Sequence, residues 1–224
     1  MAISEVRHAK ASKDGSLIAV TASEDEILHI ISTSDQSTLA RLSGGAAETY
    51  DDDFFFVNQN KNLLVRSDSS VFHLWNIEQQ EVVHSWDTNY STDKVAVSDN
   101  LLLITDENEF TLRAWDLTKP PTDENIVTIS LNTDEHAKGD IIDISISENQ
   151  QYYSLSVENV LENLMNIYVL DANSQKIISR YTTDLAAWSA EFANNDQYLV
   201  IDSYPIEVLD WQKSEVVYRL SRDQ

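Results

Sequence analysis

Leu112-Arg113-Ala114-Trp115-Asp116-Leu117 places two apolar residues around one variable residue, closes on a large apolar anchor and runs into a polar turn. The arrangement recurs in Leu28-His29-Ile30-Ile31, Phe72-His73-Leu74-Trp75, Ile167-Tyr168-Val169-Leu170 and Ile206-Glu207-Val208-Leu209. The successive anchors lie 44, 40, 55 and 39 residues apart. Side chains alternate faces along a strand, so the positions one and three before an anchor share a face. They are Ile30, Leu74, Ala114, Val169 and Val208, then Leu28, Phe72, Leu112, Ile167 and Ile206, all apolar. The residue between them varies freely: His29, His73, Arg113, Tyr168 and Glu207. One constant face and one variable face suit stacked sheets, and a helical period of about 3.6 is absent. Repetition at about 40–45 residues is the signature of a propeller built from four-stranded blades.

Working outward from each anchor, every unit divides into four short strands. The link from first to second strand is a tight turn, best seen in Lys10-Ala11-Ser12-Lys13-Asp14-Gly15-Ser16-Leu17 and shortened in Val97-Ser98-Asp99-Asn100-Leu101. Asp, Asn and Gly tolerate left-handed backbone there. The expectation is an all-β chain, one β-propeller domain over 1–224, with five four-stranded antiparallel blades near 5–43, 50–87, 92–132, 140–182 and 186–221. It is either a closed five-bladed ring or part of a larger propeller. The anchors themselves supply bulk on the second face, where a neighbouring blade packs. Two stretches break the rhythm, Glu158 to Asn163 and Lys119-Pro120-Pro121-Thr122-Asp123-Glu124, and both read as lengthened surface loops. Val160 to Met165 could form a helical turn with an exposed apolar side.

Composition narrows the function classes. Apolar residues make up 42% of 224, enough for a packed core. No apolar run approaches the ~18 residues that cross a bilayer. Met1-Ala2-Ile3-Ser4-Glu5 lacks the basic-then-apolar order of a signal peptide, so a cytoplasmic location is the default expectation. With no cysteine there is no disulfide, thiolate metal site or cysteine nucleophile. The formal charge of −23 repels phosphate backbones and anionic lipids, so nucleic acid and membrane are poor partners. Solubility, or adaptation to a salty medium, accounts for such a charge, and a basic protein partner is the sharper reading.

Few residues point to chemistry. His8, His29, His73, His84 and His136 show no metal-ligand spacing. His29 and His73 occupy equivalent positions in neighbouring units and read as polar side chains between blades. Asp51-Asp52-Asp53 clusters oxygens as calcium sites do, yet no Asp-x-Asp-x-Asp-Gly loop exists, and a solvated turn is the simpler reading. With four glycines, phosphate-cradling loops are excluded. No cofactor or metal is expected. Among the aromatics, Trp75 and Trp115 are structural anchors and Trp86 closes a fourth strand. Tyr50, Tyr90 and Tyr204 fall in loops, Trp188 begins a first strand, and Trp211 follows the last anchor in a turn with partial exposure expected. These five are the candidate binding residues, because aromatics gain most on burial in an interface.

Phe72-His73-Leu74-Trp75-Asn76-Ile77 and Leu112-Arg113-Ala114-Trp115-Asp116-Leu117 resemble the strand ending in Trp-Asp that names the WD-repeat proteins. Leu170-Asp171 and Leu209-Asp210 take the same place, and Lys13-Asp14-Gly15 and Asn194-Asn195-Asp196 resemble that family's strand-linking turn. His84-Ser85-Trp86 looks like the strand endings of divergent bacterial members. The likeness runs from about Val6 to Leu220. Only Trp115-Asp116 is a full pair and the usual Gly-His dipeptide is absent, so the family's buried Asp-His-Ser-Trp network has no counterpart here. The resemblance implies a non-enzymatic protein-interaction scaffold that docks a protein partner through loops on one face. If the ring is open, exposed blade faces invite oligomers. The alternative is a five-bladed hydrolase acting on glycosides through carboxylates near the axis, for which Asp140, Asp143 and Glu191 are the candidates.

Overall fold

Short polar side chains at the hairpin tips set the strand ends. Asn58, Gln59 and Asn60 have φ of 53°, 53° and 64°, and Asn194, Asn195 and Asp196 have 52°, 53° and 64°. Asn and Asp accept this left-handed backbone more readily than most residues. Gly15, at φ 71°, does the same in the first hairpin. There the Ser12 hydroxyl accepts the Leu17 N–H at 2.9 Å and donates to Asp14 Oδ1 at 2.8 Å, and that oxygen also accepts the Ser16 N–H at 2.9 Å. Ser147, Asn149, Gln151 and Tyr152 repeat the bracket with distances of 2.9, 2.9 and 2.8 Å. The residue after an anchor caps the next turn: Asn76, Asp116, Asp171 and Asp210 accept the N–H of Gln79, Thr118, Ser174 and Lys213 at 2.9, 3.0, 2.6 and 3.2 Å. The aspartate of the Trp-Asp pair thus has a local job, an Asx turn that ends the third strand.

The computed structural model describes residues 6–22, 27–44, 53–89, 92, 94–106, 111–131, 139–159, 162–184 and 186–220. They form five four-stranded antiparallel sheets, and no helix occurs among the described residues. This is a β-propeller class of fold. Sheet 1 holds β1 (Val6–Ala11), β2 (Leu17–Ala22), β3 (Ile27–Ser32) and β4 (Thr38–Ser43). Sheet 2 holds β5 (Phe54–Val57), β6 (Asn62–Arg66), β7 (Val71–Asn76) and β8 (Glu81–Asp87). Sheet 3 holds β9 (Val95–Ser98), β10 (Leu101–Asp106), β11 (Thr111–Asp116) and β12 (Ile126–Ser130). Sheet 4 holds β13 (Asp140–Ile146), β14 (Tyr152–Asn159), β15 (Leu164–Asp171) and β16 (Lys176–Thr183). Sheet 5 holds β17 (Ala187–Ala193), β18 (Tyr198–Ser203), β19 (Ile206–Asp210) and β20 (Glu215–Leu220). The chain divides into two compact units: Met1–Thr92 with Asp116–Ile126, and Asp93–Trp115 with Val127–Gln224.

In the first unit, Leu28 and Ile30 of sheet 1 meet Phe54, Leu63, Val65 and the anchor Trp75 of sheet 2. In the second unit, Leu112 and Ala114 of sheet 3 meet Leu155, Tyr168 and the anchor Leu170 of sheet 4. Ile167 and Val169 of sheet 4 meet Leu199, Ile201 and the anchor Leu209 of sheet 5. Each of these junctions sets the constant face of one sheet on the anchor face of the next. Hydrogen bonds join the same neighbours at their turns: Asn60 Nδ2 donates to Asp14 at 2.9 Å, Gln150 Nε2 to Ser98 at 2.9 Å, and the Glu148 amide to Asp196 at 2.8 Å. Ladder bulges recur at matching places, between Val6 and His8, Ile141 and Asp143, and Ala187 and Ser189. Such bulges sharpen local twist.

Two expectations are corrected. Ile206 and Val208 are only half-buried, whereas the other eight residues of the constant face are buried. Sheet 5 packs on sheet 4 through its anchor face and leaves its constant face open to solvent. Leu164 and Met165 open β15 and pair with Asn159 and Glu158, so they are strand and not part of a helical turn. Val160 and Leu161 lie outside the described residues. The preceding Gly139 is required: a Cβ there would stand 2.1 Å from the Glu158 carbonyl oxygen.

Candidate binding site

The register of sheet 5 sets Ala187 opposite Ser203 and Ile206 opposite Leu220. Trp188, the Tyr204-Pro205 turn and the end of β20 therefore share one end of that sheet. Sheet 4 brings Met165 opposite Thr183 at its corresponding end. Between them opens a groove of about 510 Å³, lined by Leu164, Tyr181, Thr182, Thr183, Asp184, Pro205 and Arg219.

The groove is built over a buried carboxylate. Glu207 occupies the variable position of β19, on the face that packs against sheet 4, and its exposure is 0%. A carboxylate so placed needs partners for its oxygens. Arg219, its cross-strand neighbour, donates Nε–H to Oε1 at 2.7 Å. Tyr181 of β16 donates its hydroxyl to Oε2 at 2.9 Å across the junction. Burial pushes the Tyr181 hydroxyl up, and the hydrogen bond to Glu207 adds to the shift. The hydrogen bond to Glu207 likewise raises Arg219. The polar floor joins two sheets and holds a guanidinium at the groove wall.

Trp188 and Tyr204 are 58% and 57% exposed at the same end of sheet 5, as surface aromatics. Tyr50 and Tyr90 lie outside the described residues. Trp211 corrects the expectation of partial exposure: it is 4% exposed. Its indole N–H donates to the Asp196 carbonyl at 2.7 Å, and its ring lies 4.9 Å from Tyr152 and 6.4 Å from Phe192. The turn after the anchor folds its first residue back into the sheet 4–sheet 5 core, where the largest apolar surface gains most. Trp75, Trp115 and Trp86 are buried. His29 is buried, and His73 is half-buried with Nδ1 at 2.8 Å from Ser85 Oγ. Asp53 is held by Arg66 at 2.9 Å, while Asp51 and Asp52 lie outside the described residues. Among the described residues no group of three His, Asp or Glu side chains gathers in a metal-binding arrangement.

Of the three acids considered for hydrolysis, Asp140 and Glu191 are exposed, and none lines the groove. Asp143, at the β13 bulge, is pushed up to about 6 by burial; the amides of Ala190 and Ile144 oppose the shift and the charge of Glu191 adds to it. The native state thus holds a proton that the unfolded chain releases between about pH 4 and 6. Stability contributed by that proton is lost as pH rises through this window. Asp143→Asn is expected to stabilise the protein at pH 7.5 by about 1 kcal/mol after discounting for partial exposure, and to have no effect at pH 4. Urea midpoints at the two pH values check this, and a gain of equal size at both would refute it.

The strand pattern alone does not single out Glu207, Tyr181 and Arg219. The available signal is the acid inside Ile206-Glu207-Val208-Leu209, the only carboxylate at the five variable positions. No family model matches the chain, and no curated protein matches it. Among solved structures it is similar to Hsv2 of Kluyvelomyces marxianus, a β-propeller, with a TM-score of 0.71 and 12% identity over 92% of this chain. The chain spans 63% of the length of that protein. At this identity the likeness speaks for the fold alone.

Proposed function

We propose that this chain is a non-enzymatic interaction module of the WD-repeat type that docks a protein partner at the groove end of sheets 4 and 5. The observation that carries the reading is the pair Trp188 and Tyr204, both more than half exposed at the end of sheet 5 whose Pro205 and Arg219 line the groove, where Tyr181 and Arg219 are pinned by Glu207. Large aromatics on a rigid base lose little freedom on binding and gain much area, which is how interface hot spots work. The formal charge of −23 favours a basic partner and speeds its encounter.

The test is quantitative affinity capture with the intact chain and with a Trp188→Ala/Tyr204→Ala variant whose circular dichroism matches the parent. At least one partner held by the parent is expected to fall about thirtyfold with the variant, in line with a hot-spot loss of about 2 kcal/mol. Identical partner profiles for parent and variant would end this reading.

A further inference from the structure

Sheet 5 has a second surface, distinct from the groove. Alternation and register put Glu191, Val200, Val208 and Tyr218 in one row across the constant face, flanked by Ile206 with Leu220 on one side and Tyr198 with Glu215 on the other. Tyr218 and Leu220 are 56% and 42% exposed, and Val200, Ile206 and Val208 are half-buried. The opposite face of the same sheet has Leu199, Ile201 and Leu209 buried against sheet 4. The open face is apolar through its middle and acidic at its margins, where Glu191, Asp202 and Glu215 are exposed. The one basic residue of β17 to β20, Arg219, points to the other face with its partner Glu207.

We infer that this face is a docking surface for a protein that presents an apolar β-sheet face bordered by lysine and arginine. Two observations select that occupant. First, the equivalent positions elsewhere are already filled in this way: Leu28 with Ile30, and Ile167 with Val169, each lie under the anchor face of another sheet. The same side-chain types at the same register fit the same kind of surface. Second, Glu191, Asp202 and Glu215 are exposed along the margin, while Lys213, the cation beside Glu215, is held by Asp210 at 2.6 Å, so the margin is acidic in balance and calls for basic residues opposite. It also selects against a second copy of this chain, since two such margins would meet as like charges on molecules of formal charge −23. This surface is separate from the groove that carries the proposed function, and its test uses different residues.

The probes are two synthetic β-hairpin peptides with the same Val/Leu/Trp face, one bordered by lysine and the other by glutamate, titrated into the intact chain by calorimetry. The lysine hairpin is expected to bind at least about tenfold more tightly than the glutamate one, and to weaken when salt is raised to about 0.5 M, where screening is strong. Tyr218→Ser with Leu220→Ser, both exposed and so compatible with the fold, is expected to abolish binding of the lysine hairpin. Glu191→Gln with Glu215→Gln is expected to remove most of the preference between hairpins while leaving the fold intact. Trp188→Ala/Tyr204→Ala is expected to bind the lysine hairpin as the parent does, so failure here and failure of the groove reading are separable. The inference is overturned if neither hairpin binds at about 1 mM, the weakest range such titrations read. It is equally overturned if both bind alike, if the Tyr218/Leu220 variant binds like the parent, or if sedimentation shows self-association that this variant abolishes.

Discussion

Trp211→Ala is expected to lower the unfolding free energy by about 4 kcal/mol, while Trp188→Ala changes it by less than about 0.5 kcal/mol. Both residues are tryptophans of sheet 5 and its turns, and they differ in what surrounds them. The Trp211 ring is 4% exposed and packs with Met165, Ile167 and Leu199 in the sheet 4–sheet 5 core. Truncation there removes apolar contact area and leaves a cavity that the paired ladders cannot close. It also strips the Asp196 carbonyl of its indole donor. Asp196 in turn accepts the amides of Glu148 and Asn149 at 2.8 and 3.2 Å, so the damage reaches the contact between the two sheets' first turns. Trp188, 58% exposed, has little to lose in the folded state. Urea unfolding followed by far-ultraviolet circular dichroism separates the two. Equal losses in the two variants would mean that the burial assigned to Trp211 is wrong.

That contrast marks how far the sequence carries. The alternation before each anchor shows which side chains share a face, because strand geometry fixes this locally. The Asx residues after the anchors and the amide-rich tips are also legible, since a turn depends on few neighbours. Exposure is a different kind of property: it depends on whether another sheet arrives. Val208 and Val169 occupy the same register position, and Val169 is 1% exposed while Val208 is half-buried. Nothing in either residue's own strand distinguishes them. Trp211 illustrates the reverse error, a turn residue that looks available until the core of sheets 4 and 5 is seen to take it. Glu207 is one of five freely varying residues in the strand pattern, and its being an acid does not by itself mark it out. Its partners are not legible either, because Tyr181 comes from a strand of another sheet and Arg219 pairs with it only once the β19–β20 ladder is in register.

Arg66→Met is expected to cost about 3 kcal/mol, the scale for removing one partner from a buried ion pair with further hydrogen bonds. Arg66 ends β6 opposite Phe72, a position held by Thr21 in sheet 1 and Ser156 in sheet 4. Where those sheets use a small buried hydroxyl, sheet 2 places a guanidinium that is 4% exposed. It donates to Asp53 Oδ2 at 2.9 Å, to the Ser69 carbonyl at 3.1 Å and to the Thr92 carbonyl. Thr92 returns a hydroxyl bond to Ser69 at 2.8 Å. One planar fork thus ties together the segment before β5, the β6–β7 turn and the link that leaves β8. A methionine fills much of the volume but leaves the Asp53 carboxylate and the Thr92 carbonyl without the guanidinium, while the Ser69 carbonyl keeps only its bonds from Thr92. Lysine keeps the charge yet offers a single point of donation, so Arg66→Lys is expected to recover less than half of the loss. Adding Asp53→Asn to Arg66→Met is expected to cost less than the two single losses combined, because the orphaned charge is then gone. Among the described residues at the corresponding end of sheets 4 and 5 no such fork spans the turns; Arg219 is drawn to Glu207 and the groove remains open beside it. The same end of a four-stranded unit is therefore sealed by a buried arginine in one place and left as a cleft in another. If urea midpoints showed Arg66→Met to cost under about 1 kcal/mol, the value of an exposed ion pair, that contrast would lose its physical basis.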